Sequence, residues 1–180
     1  MGIYGKIEDT FNDMVYDLIT SENLCKLLYH DDYDPKSKSA VENADKMLYK
    51  GGDTQETNEH RIFLTPKIPT VTDTKKTIIV PRILRIQPSG RGNDRNVYYK
   101  EFTVVFDIIT HISLWVIKNG EIRVLQIADL INDLYNLKYT DKSIQNPYAL
   151  DTPYIQPSDE WCGYRLEYKF TDWSGGNDGN

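Results

Sequence analysis

The feature of this sequence that most constrains its fold is a pair of long strand signals joined by turn-forming residues. Residues 77–87 (TIIVPRILRIQ) are rich in β-branched side chains. Residues 98–118 (YYKEFTVVFDIITHISLWVIK) form a strand signal far longer than a typical strand of about five or six residues. Between them, residues 88–96 carry Pro, Ser, Gly, Asn and Asp, which favour turns. The pattern predicts one long antiparallel β-hairpin with a glycine-rich tip, and Pro81 indicates an edge strand or a bulge.

Amphipathic helices are predicted on both sides of this hairpin. Apolar residues recur at spacings of three and four along residues 3–19, and a shorter helical turn follows over residues 24–28. After the turn dipeptide Asn119-Gly120, the helical period returns along residues 121–138. The sequence therefore predicts two main helices, one before and one after the hairpin.

The other segments complete a single predicted domain. Residues 36–60 are polar and include a weak helical patch over 40–48, which we interpret as a surface insertion. Residues 140–160 are rich in Pro, Asn and Asp and predict a loop. Residues 163–173 (GYRLEYKFTDW) alternate apolar and charged side chains, which predicts a closing strand with one buried face. The last residues, 174–180, are expected to be a disordered tail.

The order of these elements predicts an α+β fold. We expect a small, mostly antiparallel sheet with a long β-hairpin and two main helices packed on one face. One domain over residues 1–173, with the insertion at 36–60, accounts for the whole pattern. Neither side of the insertion has enough apolar residues to form a core alone.

Composition limits the classes of function. The formal net charge is −6, which argues against a dedicated nucleic-acid binder, because such proteins neutralise phosphates with clustered Lys and Arg. No apolar run is long enough to span a membrane, so we expect no membrane association. Cys25 and Cys162 lie far apart, and we expect two reduced, buried thiols in a protein made in a cytoplasm. Thirteen tyrosines suit subunit interfaces, although half-exposed strands also favour tyrosine.

Sequence motifs for catalysis are absent. Gly90-Arg91-Gly92 falls at the hairpin tip rather than between a strand and a helix, which excludes a phosphate-binding loop. No nucleophile elbow and no pair of Cys or His with zinc spacing occurs, and His111 is expected to be an ordinary strand residue. We therefore predict that the chain is not an enzyme and that it has no cofactor, no catalytic residues and no metal site.

One cluster of acids follows the short helical turn. His30, Asp31, Asp32 and Asp34 bring three carboxylates and an imidazole together before Pro35. Oxygen ligands of this type hold hard cations, but the glycine and distal glutamate of a calcium loop are missing. A solvated turn is the favoured interpretation, with a metal-dependent nuclease as the weakest hypothesis. If the chain assembles, Asp31, Asp32 and Asp34 are candidates for a lumen or ring contact.

The hairpin tip is basic and aromatic on an otherwise acidic chain. It carries Arg91, Asn93, Arg95, Tyr98 and Tyr99. Such a patch suits contact with a neighbouring subunit or another protein partner. It also suits a nucleic-acid backbone, through charge and stacking, and a loop without a partner is the third possibility. The alternative function is thus a nucleic-acid-binding module acting through this tip.

The layout resembles the tail-terminator and related neck (head–tail connector) proteins of tailed bacteriophages. The resemblance is one of element order and hydrophobic blocks and covers most of residues 7–173, without a chemical signature. It rests on four stretches: residues 23–29 (NLCKLLY), the strand 102–116, residues 123–131 (RVLQIADLI) and residues 163–168 (GYRLEY).

This resemblance implies a virion structural protein that forms a ring of six or twelve copies in the phage neck. The ring would join the head or connector to the tail, beside other neck, portal-side or tail-tube proteins. DNA would pass through its lumen without sequence-specific binding. The implied location is the virion neck or tail, after assembly in the host cytoplasm. The stretch 36–71 is longer than a minimal terminator needs, so terminator and connector ring both stay open.

Overall fold

A mixed sheet of seven strands and three α-helices make up the described part of the chain. A computed structural model describes residues 3–52, 56–65, 75–89, 96–136 and 145–173. The helices are α1 (Ile3–Thr20), α2 (Glu22–Tyr29) and α3 (Arg123–Tyr135). The strands are β1 (Leu48–Tyr49), β2 (Ile62–Phe63), β3 (Thr77–Ser89), β4 (Asn96–His111), β5 (Gln145–Asp151), β6 (Tyr154–Ser158) and β7 (Trp161–Trp173). The predicted α+β class is confirmed, and the predicted tail at 174–180 lies outside the described residues.

The sheet has the order β1-β2-β3-β4-β7-β5, with β6 also pairing with β7. Strands β3 and β4 form the predicted long hairpin, paired from Thr77–Thr110 to Ser89–Asn96. The pairings of β1 with β2 and of β2 with β3 are parallel, and the remaining pairings are antiparallel. The prediction of a mostly antiparallel sheet is therefore confirmed.

Pro81 lies in an edge position, as predicted. The N–H of Ile79 points away from β4, because it donates to the carbonyl of Arg61 at 2.7 Å. Pro81 has the same parity in the strand, so its missing N–H falls on the outer edge and no bond to β4 is lost. A bulge follows between Ile83 and Arg85. Proline and bulge both interrupt the outer edge of β3.

The long strand ends earlier than the sequence predicted. Strand β4 stops at His111 instead of continuing to Lys118, and a 3₁₀ turn over Ile112–Leu114 follows. The His111 ring caps this turn, because its Nδ1 accepts a hydrogen bond from the Ser113 backbone at 3.1 Å. The apolar residues beyond His111 belong to the turn and to a short bridge, and so they do not extend β4.

The predicted loop at 140–160 was wrong for its described part. Strands β5 and β6 occupy residues 145–158 and pair with successive parts of β7. Their prolines are compatible with strand structure, because β5 and β6 each pair on one side within the described ranges. The predicted weak helical patch at 40–48 is confirmed only in part. It is a 3₁₀ turn at Ala44–Met47 followed by β1, and Met47 is buried.

The three helices cover one face of the sheet. Apolar side chains of α1, α2 and α3 pack with alternate residues of β4, from Phe102 to Ile108. Stacked rings join the layers, with the Phe106 and Tyr135 centroids 5.4 Å apart. A smaller apolar cluster around Trp161 lies on the opposite face. The predicted packing of helices on one face is therefore confirmed.

The turn at Asn119-Gly120 and both cysteines agree with the predictions. Asn119 and Gly120 have φ values of 65° and 77°, the left-handed region that such turns need. Cys25 and Cys162 are free and buried. Burial raises the pKa of the Cys25 thiol to about 11, which keeps it protonated and unreactive.

Candidate functional site

The three acids of the predicted cluster lie together in the turn after α2, but each faces a different cation. Their carboxylates therefore do not converge on one point. The ion pairs are Asp31 with Arg61 at 2.8 Å, Asp32 with Lys38 at 2.6 Å and Asp34 with Lys118 at 2.6 Å. Hydrogen bonds from the two lysines lower the pKa values of Asp32 and Asp34. Within the described ranges, no group of three or more His, Cys, Asp or Glu has an arrangement that would hold a metal ion.

A fully buried arginine holds the end of α2. The guanidinium of Arg123 donates to the carbonyls of Leu27 and His30, each at 2.8 Å, and to the carbonyl of Asp32. Its Nε donates to the carbonyl of Leu114 at 3.1 Å. The last carbonyls of a helix have no intrahelical partner, so these bonds satisfy groups that would otherwise be buried unpaired. Arg123 thus joins the start of α3 to the end of α2.

A second arginine completes this joint. Arg61 donates through Nε to the Leu28 carbonyl at 2.8 Å and through Nη2 to the Tyr29 carbonyl at 3.4 Å. It also donates to the Asn58 carbonyl and pairs with Asp31. The positive charges favour the negative end of the α2 dipole. Burial raises the pKa of Asp31, while the charges of Arg61 and Arg123 oppose that shift. The acidic turn is therefore a structural joint between α2, α3 and the segment before β2.

Neither Arg61 nor Arg123 was identified from the sequence, although the helical pattern places Arg123 at a position that is usually apolar. It lies four residues before Ile127 and eight before Ile131, on the apolar stripe of α3. A charged residue on a buried helix face needs internal partners. The identity of those partners depends on the tertiary arrangement.

The hairpin tip is only partly described. Arg91, Asn93 and Arg95 lie outside the described residues. Tyr98 and Tyr99 belong to β4, and the backbone of Tyr99 pairs with Trp173 of β7. The predicted contact role of these five residues stays a prediction.

A charged triad that was not predicted from the sequence lies on the sheet face opposite the helices. Asp107 of β4 is buried, and its Oδ1 accepts from Nε of Arg165 on β7 at 2.6 Å. Arg82 of β3 donates to its other oxygen. Both arginines are about three-tenths exposed, so they link the buried carboxylate to the surface. The triad ties three adjacent strands together on a face that the helices leave uncovered.

Large apolar side chains are exposed along two sheet edges. On β3, Leu84 is 56% exposed and Ile86 is 38% exposed. At the opposite edge of the sheet, Tyr148 and Leu150 of β5 and Tyr154 of β6 are exposed as well. Single exposed apolar residues are common, whereas a group of them on each edge makes both edges candidate contact surfaces.

His60 is a buried histidine whose ring is positioned as a hydrogen-bond acceptor. Its Nδ1 accepts from the Thr57 backbone N–H at 2.8 Å, and its ring centroid lies 5.1 Å from that of Tyr49. Burial lowers the pKa of His60, with the nearby charge of Glu56 acting in the opposite direction. The folded chain therefore favours the neutral imidazole.

We expect the free energy of unfolding to fall as the pH drops below about 6.5, because the unfolded chain then binds a proton that folded His60 binds less readily. The loss levels off below the folded-state pKa. Urea unfolding at about pH 7.5 and about pH 5.5 measures it. His60→Gln is expected to reduce the difference between the two pH values, and an unchanged difference would assign the pH dependence to other groups.

One comparison with known proteins, the match to a family model, identifies a family for this chain. In the described part of the chain, no helix is both long enough and apolar enough to cross a membrane. A search of curated proteins found no match. The model of the family described as YomW matches residues 21–170, which include α2, α3 and nearly all of the sheet. The chain therefore belongs to the YomW family, and this membership marks it as a phage-associated protein.

Proposed function

We propose that the chain is a virion structural protein that forms an oligomeric ring in the neck of a tailed phage. The ring is a tail terminator or a head–tail connector ring, built from six or twelve copies. It joins the head or connector to the tail, and DNA passes through its lumen. Membership of a phage-associated family and the order of helix, long hairpin, helix and closing strand support this proposal.

The observation that carries the proposal is the exposed outer edge of the long hairpin. Strand β3 pairs with β4 along its length, whereas its other edge pairs with β2 only at Ile79 within the described ranges. Beyond that point, Leu84 and Ile86 expose apolar surface. An unpaired edge with exposed apolar side chains is a surface that a neighbouring subunit can cover.

The charge of the chain is compatible with a DNA passage. A net charge of −6 would repel the phosphate backbone weakly, so a moving genome would not be trapped. In this proposal DNA passes through the ring without sequence-specific binding, and the protein needs neither an enzymatic activity nor a cofactor.

The mass of the purified chain in solution tests the proposal. We expect light scattering to give a mass of six or twelve copies, and negative-stain images to show closed rings with a central hole that admits duplex DNA. The mass is measured a second time with neighbouring neck proteins added, because some rings close only in the presence of their partners. A chain that stays monomeric in both conditions would contradict the proposed function.

The nucleic-acid alternative has its own measurement. If the basic tip binds DNA, the affinity falls as salt rises, and replacing Arg91 and Arg95 with alanine weakens binding and reduces the salt dependence. DNA binding that is absent, or unchanged by both substitutions, would reject this alternative.

A further inference from the structure

The exposed parts of β3 and β5 lie at the two opposite edges of the sheet, and they are level with each other along the strand direction. Strand β3 forms one edge there, and β5 forms the other. The pairing aligns two rows of residues from β3 through β4 and β7 to β5. One row is Arg82, Val105, Glu167 and Asp151, and the other is Arg85, Thr103, Lys169 and Tyr148. A second copy placed beside the first at the same height would therefore set its β3 edge against β5.

Strand direction also fits this arrangement. Strands β3 and β7 run in one direction, and β4 and β5 run in the other. The β3 strand of a second copy would thus lie antiparallel to β5, as neighbouring strands in the rest of this part of the sheet do. Pro81 and the bulge after Ile83 interrupt the outer edge of β3, so side chains would supply most of the contact.

The two edges have complementary charges. The charged residues of β3 are Arg82 and Arg85, whereas Asp151 is the charged residue of β5 and β6. Arg85 is exposed and has no ion pair with another described residue. Asp151 is exposed too, and its carboxylate accepts a hydrogen bond from the neighbouring Thr152 backbone. Each edge therefore offers an uncompensated charge beside exposed apolar side chains.

We infer that the β3 edge of one copy packs against the β5 edge of the next copy. Leu84 and Leu150, which lie in the bulges of the two strands, would meet between the two aligned rows. Arg85, which is level with Tyr148, would reach Asp151 in the neighbouring row on the same face of the sheet. Because different surfaces meet, the contact is heterologous, and repetition closes into a ring when the rotation between copies allows it. The inference rests on the proposed ring, and it names the surfaces that would build that ring.

Charge reversal at each edge tests the contact. We expect Arg85→Glu and Asp151→Arg each to weaken self-association by at least about tenfold, because like charges then meet in the interface. An equimolar mixture of the two variants is expected to assemble again, since each supplies the edge that the other lacks. Light scattering over a concentration series measures all three samples. Lys46→Glu and Asp129→Arg make the same charge changes at exposed positions away from both edges, and they should assemble like the wild type.

Cysteine cross-linking provides an independent readout. The double variant Leu84→Cys, Leu150→Cys should give a ladder of covalent multimers on oxidation, whereas each single variant should not. A single variant that forms disulfide-linked dimers would overturn the heterologous contact, and so would the absence of a ladder at every concentration.

The outcomes also separate this inference from the proposed function. If both charge-reversed variants form rings as well as the wild type does, the edge contact is rejected and the proposed ring is retained. Open chains of edge-linked copies that never close, even with neck proteins present, would support the contact and reject the neck ring.

Discussion

Replacing Arg123 with methionine is expected to lower the free energy of unfolding by about 3–5 kcal/mol. Methionine fills much of the same space but donates no hydrogen bonds. The carbonyls of Leu27, His30 and Leu114 would lose their buried donor, and the nearby Asp31 would lose a compensating charge. Urea unfolding followed by circular dichroism measures the change.

Two control variants separate the guanidinium from its charge. Arg123→Lys keeps the positive charge but loses the fork that reaches several carbonyls, so most of the loss should remain. Lys46→Met removes an exposed cation on the surface and should change stability by less than about 0.5 kcal/mol. If Arg123→Met loses less than about 1 kcal/mol, the joint at the end of α2 is not a major source of stability.

Gly163→Ala is expected to prevent folding or to cost more than about 3 kcal/mol. Gly163 pairs with Ile109 in the ladder between β4 and β7. A Cβ at this position would lie 1.8 Å from the carbonyl oxygen of Ile108 and 2.8 Å from its carbon. Because these are backbone atoms of the central hairpin, a side-chain rotation cannot relieve the clash. The soluble yield and the urea midpoint measure the effect.

Gly52→Ala is the matched control. Gly52 has a φ of 72°, but an added Cβ would meet nothing within 4 Å. Its cost should therefore be limited to the backbone strain of about 1–2 kcal/mol. Equal losses in the two variants would mean that β4 and β7 separate easily at Gly163, which would contradict the close approach in the ladder.

The elements that the sequence predicted are those with a strong local period. The β-branched run of β3, the turn residues after it and the alternating pattern of β7 each determine their own structure. The Asn119-Gly120 turn is equally local, because these residue types accept left-handed backbone angles.

The remaining features depend on contacts between distant segments. Strands β5 and β6 contain prolines and polar residues typical of loops, and pairing with β7 makes them strands. The joint at the end of α2 depends on Arg61 and Arg123, which come from separate parts of the chain. The sequence identified the acidic turn itself but not its ion-pair partners. Such partners appear only when the tertiary structure is known.

The position of β7 has a consequence for how the protein folds. It follows the other strands in the chain, yet it lies in the interior of the sheet, between β4 and β5. Until it docks, β4 exposes a long edge, and β5 has no described strand to pair with. Pairings between strands so far apart in sequence form slowly. The β5 edge would therefore form only after β7 has docked. If copies associate through this edge as proposed, each copy must fold before it can join the next one.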